Sequence, residues 1–371
     1  MSKLFTPGRI GKLRLPNRLV RSATAEQMAD ANGVPRAQLA GLYRELARGE
    51  VGLIITGHMY VHPSGKCHAE MTGIYSDALI PGLAELADAV HDEGGLIVPQ
   101  INHGGMQCSQ ETVTETIAPS AIDVSFLKRP ARAMTCDEIN QMIEAYAQGA
   151  RRAQEAGFDG VQIHGAHGYL INQFLSPFVN KRTDEWGGDL EGRMHFLRAV
   201  CRAVREQVGP DYPVLIKLGM ADGVGDGLVV EEGQQVVAAL ESMGFDGVEI
   251  SGGIGGKHSS SIRPGIRSEA DEAYFRQWAH EARRVTRLPI ILVGGFRSLP
   301  VMEEVLTSGD ADFISLSRPL ICEPDLANRM RLGLQERSSC ISANRCWGEK
   351  DGEGIACKCQ IKGRDHKNGT V

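Results

Sequence analysis

A chain of 371 residues, 42% of them hydrophobic and 23% charged, can form two average domains or one large α/β barrel with insertions. The formal net charge of −6 leaves no basic field for nucleic acid and no polybasic patch for a membrane surface. No apolar run is long enough to span a membrane, and residues 1–7 lack the apolar core of a secretory signal. Five cysteines are scattered along the chain, as reduced thiols are: Cys67, Cys108, Cys136, Cys201 and Cys322. We therefore expect a cytoplasmic protein.

Short apolar runs alternate with helical periodicity eight times along the chain. The predicted strands are 19–24, 51–56, 96–101, 160–164, 214–218, 247–251, 290–293 and 313–316. The predicted helices are 36–48, 78–93, 137–156, 189–208, 231–243, 271–286, 298–308 and 325–335. Asp137 is predicted to cap the third helix, and Gly157, Gly209 and Gly244 follow helices where a left-handed C-cap is expected.

Strands that are apolar throughout are typical of parallel sheets covered by helices on both faces. Eight such units without a break in composition favour an α/β fold of the closed (β/α)8 TIM barrel type over a doubly wound sheet. A dinucleotide-binding sheet would place Gly-x-Gly-x-x-Gly after its first strand, and residues 19–26 contain no glycine. We predict one barrel over residues 1–335 and a C-terminal cysteine-containing extension over residues 336–371.

In such a barrel the functional residues gather at the C-terminal ends of the strands. In chain order these ends carry Ser22, Ala23, Thr24 and Ala25, then Gly57 and His58, Gln100, the group His164, His167 and Tyr169, then Lys217, Gly294 and Gly295, and finally Ser317 and Arg318. The last four are typical of a phosphate site, because glycines let backbone N–H groups approach and arginine adds a charged fork. The two imidazoles and the phenol supply donors for a substrate oxygen and a proton donor of high pKa.

Other interpretations of these residues stay open at this point. His164 and His167, with His58 or His103 as a third ligand, would suit a metal-dependent barrel hydrolase. Lys217 at the end of the fifth strand would suit a Schiff-base lysine, as in barrel aldolases. A purely binding or structural role is disfavoured, because polar groups converge at six or more strand ends.

Two long motifs resemble the Old Yellow Enzyme family of flavin-dependent ene-reductases, the NADH:flavin oxidoreductases. Residues 5–18 match the family's opening, Phe-x-Pro-x-x-Ile-Gly-x-Leu-x-Leu-x-Asn-Arg, and residues 164–188 match its motif from His-Gly-Ala-His-Gly-Tyr-Leu to Trp-Gly-Gly. The resemblance covers about residues 1–335. It implies FMN over the barrel mouth, NAD(P)H as hydride donor, and ping-pong reduction of activated C=C bonds in α,β-unsaturated carbonyl or related compounds.

The resemblance also implies individual roles. By this resemblance, the backbone of Ser22–Ala25 and Gly57–His58 contacts the isoalloxazine ring of FMN. Gln100 hydrogen-bonds the pyrimidine end of the ring, and Lys217 stands beside its N1 and O2 atoms. The FMN phosphate is expected to be held by Gly294, Gly295, Ser317 and Arg318. His164 and His167 are expected to bind the substrate oxygen, and Tyr169 is expected to donate a proton. Ala25, with Thr24 beside it, stands where many members have Thr or Cys next to flavin N5. The physiological substrate, the preference for NADH or NADPH and the oligomeric state, a homo-oligomer included, stay open.

The C-terminal cysteines depart from the family pattern. Larger relatives follow the barrel with four cysteines for a [4Fe–4S] cluster and then with nucleotide-binding domains. Here Ala343 replaces the expected second cysteine. Cys340, Cys346, Cys357 and Cys359 still count to four, but with altered spacing. Whether they bind a cluster, zinc or nothing stays open.

Overall fold

The computed structural model describes residues 2–124, 127, 129–255, 261–348 and 353–359. The strands in these residues are β1 (Gly8–Ile10), β2 (Leu13–Leu15), β3 (Leu19–Arg21), β4 (Leu53–Tyr60), β5 (Ile97–Asn102), β6 (Ile117–Ala118), β7 (Arg132–Ala133), β8 (Val161–Gly165), β9 (Val214–Gly219), β10 (Gly247–Ser251), β11 (Ile290–Val293) and β12 (Phe313–Leu316). The α-helices are α1 (Ala37–Arg48), α2 (Ile80–His91), α3 (Cys136–Glu155), α4 (Leu170–Leu175), α5 (Leu190–Val208), α6 (Val230–Met243), α7 (Arg276–Arg283), α8 (Leu299–Ser308), α9 (Arg318–Cys322) and α10 (Leu326–Arg331).

Eight parallel strands close into a barrel in the order β3, β4, β5, β8, β9, β10, β11 and β12, with β12 pairing back onto β3. The predicted (β/α)8 fold is therefore confirmed. The register sets Lys217 of β9 opposite His164 of β8 on one side and Glu249 of β10 on the other. Partners in register point to the same face of a parallel sheet, so these three side chains share one level of the barrel.

The hairpin of β1 and β2 closes the opposite, N-terminal end of the barrel. Its residues Ile10, Leu13 and Leu15 are buried in one cluster with Leu215 and Phe313, which stand at the beginning of β9 and β12. The apolar hairpin therefore excludes water from this end, and the C-terminal ends of the strands are left as the open mouth.

Several element boundaries differ from the sequence predictions. The second barrel strand runs to Tyr60, because a register irregularity between Ile55 and His58 lets it continue past its first apolar run. The predicted Asp137 cap of α3 is wrong. Thr135 is the N-cap, and its hydroxyl accepts the N–H of Glu138, whose carboxylate accepts the N–H of Thr135.

The glycine C-caps agree better with their prediction. Gly244 has the predicted left-handed conformation, with φ 100° and ψ 20°. Gly157 and Gly209 also have positive φ, 84° and 78°, although a ψ of 178° places Gly209 outside the left-handed helical region. Helix α4 was not predicted, because its six residues are buried on every side and so carry no polar periodicity.

Residues 336–348 of the C-terminal extension pack across the barrel mouth, and the N–H of Ala356 in the described segment 353–359 donates to the carbonyl of Cys346 (2.8 Å). The N–H of Leu299 donates to the carbonyl of Glu336 (2.8 Å), and the N–H of Ser338 donates to the carbonyl of Arg297 (2.8 Å). Further along, the N–H of Gly265 donates to the carbonyl of Ser342 (2.9 Å). Within the described part of the chain, no helix combines the length and the apolar character that crossing a membrane requires.

Candidate active site

A cavity opens at the C-terminal ends of the barrel strands, with an empty volume of about 940 Å³ including its part open to solvent. Most of the predicted site residues line it: Ser22, Ala23, Thr24, Ala25, His58, Gln100, His164, His167, Tyr169, Lys217, Gly295, Ser317 and Arg318. The structure thus brings together residues from strands that are far apart in sequence.

The loop that follows β8 carries His167 and Tyr169 and is held from both sides. Asn172 of α4 accepts the N–H of Gly168 (2.6 Å), and Gln173 donates to the Gly168 carbonyl (2.6 Å). His167 has a φ of 61°, a conformation that is costly for a residue with a Cβ. Gln107 donates to its carbonyl (2.6 Å), so this unfavourable backbone is fixed by side chains on neighbouring elements.

The aromatic rings of the two predicted histidines and the tyrosine contact one another edge to face. The ring centroid of His164 lies 5.2 Å from that of His167 and 4.8 Å from that of Tyr169. The ring centroid of His58, near the end of β4, lies 5.0 Å from that of Tyr169 and 6.1 Å from that of His164. These four rings form one aromatic wall of the cavity.

Burial controls the protonation of this wall. It lowers the pKa of His58 and of His167 to about 3, and it lowers the pKa of His164 well below its usual value, with Lys217 adding to each shift. Burial also raises the pKa of Tyr169. At neutral pH the wall therefore presents neutral imidazoles and a protonated phenol.

A hydrogen bond decides the tautomer of His164, and another holds the ring of His167 in place. His164 Nδ1 accepts the N–H of Ala166 (3.3 Å), so the ring proton of neutral His164 is on Nε2. His167 Nε2 lies 2.7 Å from the hydroxyl of Ser251, which was not predicted as a site residue. Each imidazole is thus held by a fixed neighbour.

Lys217 belongs to a buried hydrogen-bond network centred on Glu249. The carboxylate of Glu249 lies 3.3 Å from Lys217 Nζ and accepts the hydroxyls of Ser22 (2.7 Å) and Ser315 (3.0 Å). Lys217 also donates to Ser22 (2.8 Å). Burial lowers the pKa of Lys217, and the Glu249 carboxylate opposes that shift. Glu249 is thus the counter-ion that keeps a cation at the cavity floor.

The same network reaches Gln100. Gln162 donates to Glu249 (3.0 Å), and Gln100 donates to Gln162 (2.7 Å). Sequence reasoning missed both Gln162 and Glu249. A carboxylate within the otherwise apolar run of β10 was the available signal, since a fully buried glutamate requires a partner.

Arg318 follows Ser317 at the beginning of α9. It lies at the opposite end of the cavity from the loop that carries His167 and Tyr169. Its Nη1 donates to the carbonyl of Arg263 (2.8 Å) and to the side-chain oxygen of Asn344 (2.6 Å), both uncharged acceptors. Among the described residues, no carboxylate forms an ion pair with Arg318. Its charge is available to an anion. The hydroxyls of Thr24 and Ser317 lie 2.7 Å apart and join this end to the first strand.

The C-terminal extension contributes a wall that the sequence did not predict. Trp347 lines the cavity, and its indole N–H donates to the carbonyl of Ala25 (3.0 Å). Residues beyond the predicted barrel boundary at 335 therefore form part of the site.

Two predicted residues, Gly57 and Gly294, do not line the cavity. The N–H of Gly57 donates to Glu26 (2.7 Å), and a Cβ on Gly57 would lie 1.9 Å from a Glu26 oxygen. Glycine is required there for the buried Glu26–Arg21 ion pair (2.7 Å) behind the first strand end. The carbonyl of Gly294 accepts the N–H of Tyr274 (3.1 Å), so this residue anchors the loop beside the cavity.

His103, one of the third ligands of the hydrolase alternative, does not line the cavity. Its Nδ1 accepts the N–H of Gly105 (3.0 Å), and its Nε2 lies 3.0 Å from the hydroxyl of Ser64. Both ring nitrogens are therefore used within the fold.

The four C-terminal cysteines, Cys340, Cys346, Cys357 and Cys359, all line one small pocket. Ala343, which stands where the second cysteine of the family motif is expected, lines the same pocket. In the part of the chain that the structure describes, no group of three or more His, Cys, Asp and Glu side chains is arranged to hold a metal ion. Cys322 forms no disulfide, in agreement with the predicted reduced thiol, but it is not isolated in space, because its sulfur lies 3.5 Å from that of Cys357.

The fold and this cavity define a (β/α)8-barrel enzyme with a cation at each end of its site and neutral donors along one wall. Over residues 3–337 the chain matches the model of the NADH:flavin oxidoreductase / NADH oxidase family, and it belongs to that family. It is 36% identical to an NADH oxidase of Thermoanaerobacter brockii over 96% of this chain and 55% of that protein. It is 38% identical to an NADPH dehydrogenase of Geobacillus thermodenitrificans over 86% of this chain and 91% of that protein.

A solved structure agrees with this assignment. The Old Yellow Enzyme homologue from Zymomonas mobilis superposes with a TM-score of 0.79 at 29% identity, over 91% of this chain and 95% of that one. The chain spans about half the length of the T. brockii NADH oxidase. Membership of the family implies FMN as cofactor and NAD(P)H as reductant, and it favours the oxidoreductase over the hydrolase and aldolase alternatives.

Proposed function

We propose that the chain is an FMN-dependent NAD(P)H:acceptor oxidoreductase that reduces activated C=C bonds, such as those of α,β-unsaturated carbonyl compounds. The observation that carries the proposal is the wall made by His164, His167 and Tyr169. It places a neutral imidazole, that of His167, and a phenol of raised pKa, that of Tyr169, each about 5 Å from the neutral imidazole of His164, beside the cation Lys217. When bound, FMN would supply the chemistry of hydride transfer between NAD(P)H and the acceptor.

The residues present fit FMN. Arg318, which has no carboxylate partner among the described residues, would hold the phosphate together with Ser317 and Gly295. Lys217 would stand beside the ring edge that gains negative charge on reduction, and Glu249 keeps that lysine in place. One N–H of the Gln100 amide is used by Gln162, so Gln100 would offer its carbonyl oxygen and its second N–H to the ring edge. Ala23 and Ala25 are small and leave room for a flat ring.

The acceptor would bind through its oxygen to the two histidines. His164 would donate from Nε2, because its Nδ1 is occupied by Ala166. His167 would donate from Nδ1, which requires the hydroxyl of Ser251 to donate to Nε2. Neutral donors placed before the reaction stabilise the enolate-like charge that develops on this oxygen.

Tyr169 would protonate the α-carbon of the acceptor. Its raised pKa keeps the proton on the phenol until a strongly basic carbon is formed. NAD(P)H and the acceptor would use the same open side of the cavity in turn, which accounts for a ping-pong order.

A phenol titration tests the proposal. A para-substituted phenol should bind the FMN-loaded protein as a phenolate held by His164 and His167, and it should give a long-wavelength charge-transfer band with the flavin. Charge-assisted hydrogen bonds contribute about 1.5–3 kcal/mol each, so His164→Ala and His167→Ala should each weaken phenol binding about 10- to 100-fold while FMN is retained.

His62→Ala is the matched control, because His62 stacks on His103 at 6.5 Å and does not line the cavity. That variant should bind the phenol as the unmodified protein does. Absence of the band in a protein that holds FMN, or equal binding by all three variants, would contradict the assignment of the histidines.

A further inference from the structure

Three thiols from separate segments meet next to the phosphate end of the cavity. Cys322 is the last residue of α9 and is buried, whereas Cys357 lies in the described segment 353–359 and is half-buried. Their Sγ atoms are 3.5 Å apart, which is van der Waals contact for two sulfurs. Cys340 contacts the Cys322 thiol from the start of the extension.

The backbone around these thiols is held in place. The carbonyl of Cys346 accepts the N–H of Ala356 (2.8 Å), next to an isolated bridge between Trp347 and Ile355. On the other side, the N–H of Glu323 donates to the carbonyl of Pro319 (2.9 Å) at the end of α9. A disulfide requires an S–S distance of about 2.05 Å, so the two sulfurs have only to approach by roughly 1.5 Å.

We propose that Cys322 and Cys357 form a reversible intramolecular disulfide by exchange with a small organic disulfide. The half-buried Cys357 sulfur attacks the organic disulfide, forms a mixed disulfide and releases one thiol. Cys322 then attacks the Cys357 sulfur, and the second organic thiol leaves with the proton of Cys322. Two protein thiols are oxidised and one organic disulfide is reduced to two thiols, so electrons and protons balance.

The bond would join the two sides of the cavity mouth. Cys322 ends the helix that begins with Arg318, and Cys357 follows the segment in which Trp347 contacts Ala25. In the reducing cytoplasm expected for this chain, such a bond would be transient, as disulfides in that compartment are. It would fix the extension over the mouth when small disulfides accumulate and release it when they are reduced.

Mass spectrometry tests the proposal directly, because trypsin, which cuts after Lys and Arg, puts each C-terminal thiol on its own peptide. Cys322 is the single cysteine of peptide 298–329, and Cys357 is the single cysteine of peptide 351–358. The whole protein is treated with glutathione disulfide, its remaining thiols are alkylated, and it is digested without reduction. We expect the linked pair 298–329/351–358 to be the main disulfide product, and dithiothreitol to remove it.

Three variants give the controls. Cys322→Ser and Cys357→Ser should abolish the linked pair, whereas Cys136→Ser, at an exposed cysteine in α3, should leave it unchanged. The unmodified protein alone suffices for the main result if a variant does not fold. The measurement follows sulfur chemistry, so its outcome does not depend on the flavin or on the acceptor.

Three outcomes would overturn the proposal. One is a main product that links Cys340 to either partner, and another is glutathione remaining on Cys357 without a link to Cys322. The third is purified protein that carries stoichiometric iron or zinc and loses it on Cys357→Ser, which would make these cysteines metal ligands.

Discussion

Replacing Glu249 by glutamine should destabilise the barrel more than its small change in shape suggests. The carboxylate is fully buried and serves four donors: Lys217, Ser22 and Ser315 at one oxygen and Gln162 at the other. A glutamine has one acceptor oxygen, so its NH2 group must face a donor in either orientation. The change also leaves Lys217 buried without a counter-ion.

The expected cost follows from these contacts. Removing one partner of a buried ion pair typically costs about 3–5 kcal/mol, and we expect Glu249→Gln to lower the free energy of unfolding by that amount. Lys217→Met should cost a similar amount, since it leaves the carboxylate unpaired. The double variant has neither charge and should be less destabilised than the sum of the single changes by about 2 kcal/mol or more.

Urea unfolding of flavin-free protein, followed by far-UV circular dichroism, measures these free energies without a contribution from flavin binding. Ser315→Ala is the matched control, because it removes one neutral donor and should cost only about 1 kcal/mol. Additive single changes, or a Glu249→Gln cost no larger than that of Ser315→Ala, would refute the ion-pair account of the cavity floor.

Three further predictions concern single residues. Tyr169→Phe should leave flavin reduction by NAD(P)H nearly unchanged and slow flavin reoxidation by an enone about 10²–10⁴-fold in stopped-flow traces; equal slowing of both would make Tyr169 a positioning residue. Burial lowers the pKa of His103 to about 3. As the pH falls below about 6.5, His103 therefore takes up a proton in the unfolded state but not in the folded state. The free energy of unfolding should then fall by up to about 1.4 kcal/mol for each pH unit because of this residue. His103→Asn should show a shallower loss of urea stability between pH 7 and 5, and an unchanged slope would contradict this reasoning. Trp347→Phe removes the hydrogen bond to Ala25 and should weaken FMN binding a few-fold in a fluorescence titration, whereas unchanged affinity would separate the extension from the site.

The sequence predicted the barrel well because each of its eight strands is a short apolar run followed by a helical period. The ends of these runs were less accurate. The second strand continues through His58 to Tyr60, since pairing with β5 resumes after a bulge and does not depend on apolar side chains. The Thr135–Glu138 capping box was readable as Thr-x-x-Glu, and the Asp137 prediction failed because it considered one carboxylate and not the reciprocal pair.

The candidate site was predicted in so far as its residues stand at strand ends or in the family motifs. Glu249 and Gln162 were missed because their role comes from contacts with Ser22, Lys217 and Gln100, which are distant in sequence. Trp347 was missed because it lies beyond the last predicted helix, in a segment whose path over the barrel mouth has no periodic signal. The contact of Cys322 with Cys357 was missed for the same reason, because Cys357 also lies beyond the last predicted helix.

The central claim is that this barrel passes reducing equivalents from NAD(P)H to an activated alkene through bound FMN. An anaerobic titration tests it most directly: the purified protein is first reduced with NAD(P)H and then mixed with cyclohex-2-enone, while flavin absorbance is recorded. The account predicts that heat releases FMN and not FAD, that NAD(P)H bleaches the flavin, and that the enone restores its absorbance with formation of the saturated ketone. A flavin that NAD(P)H bleaches and only oxygen restores, with no activated alkene reduced, would contradict it.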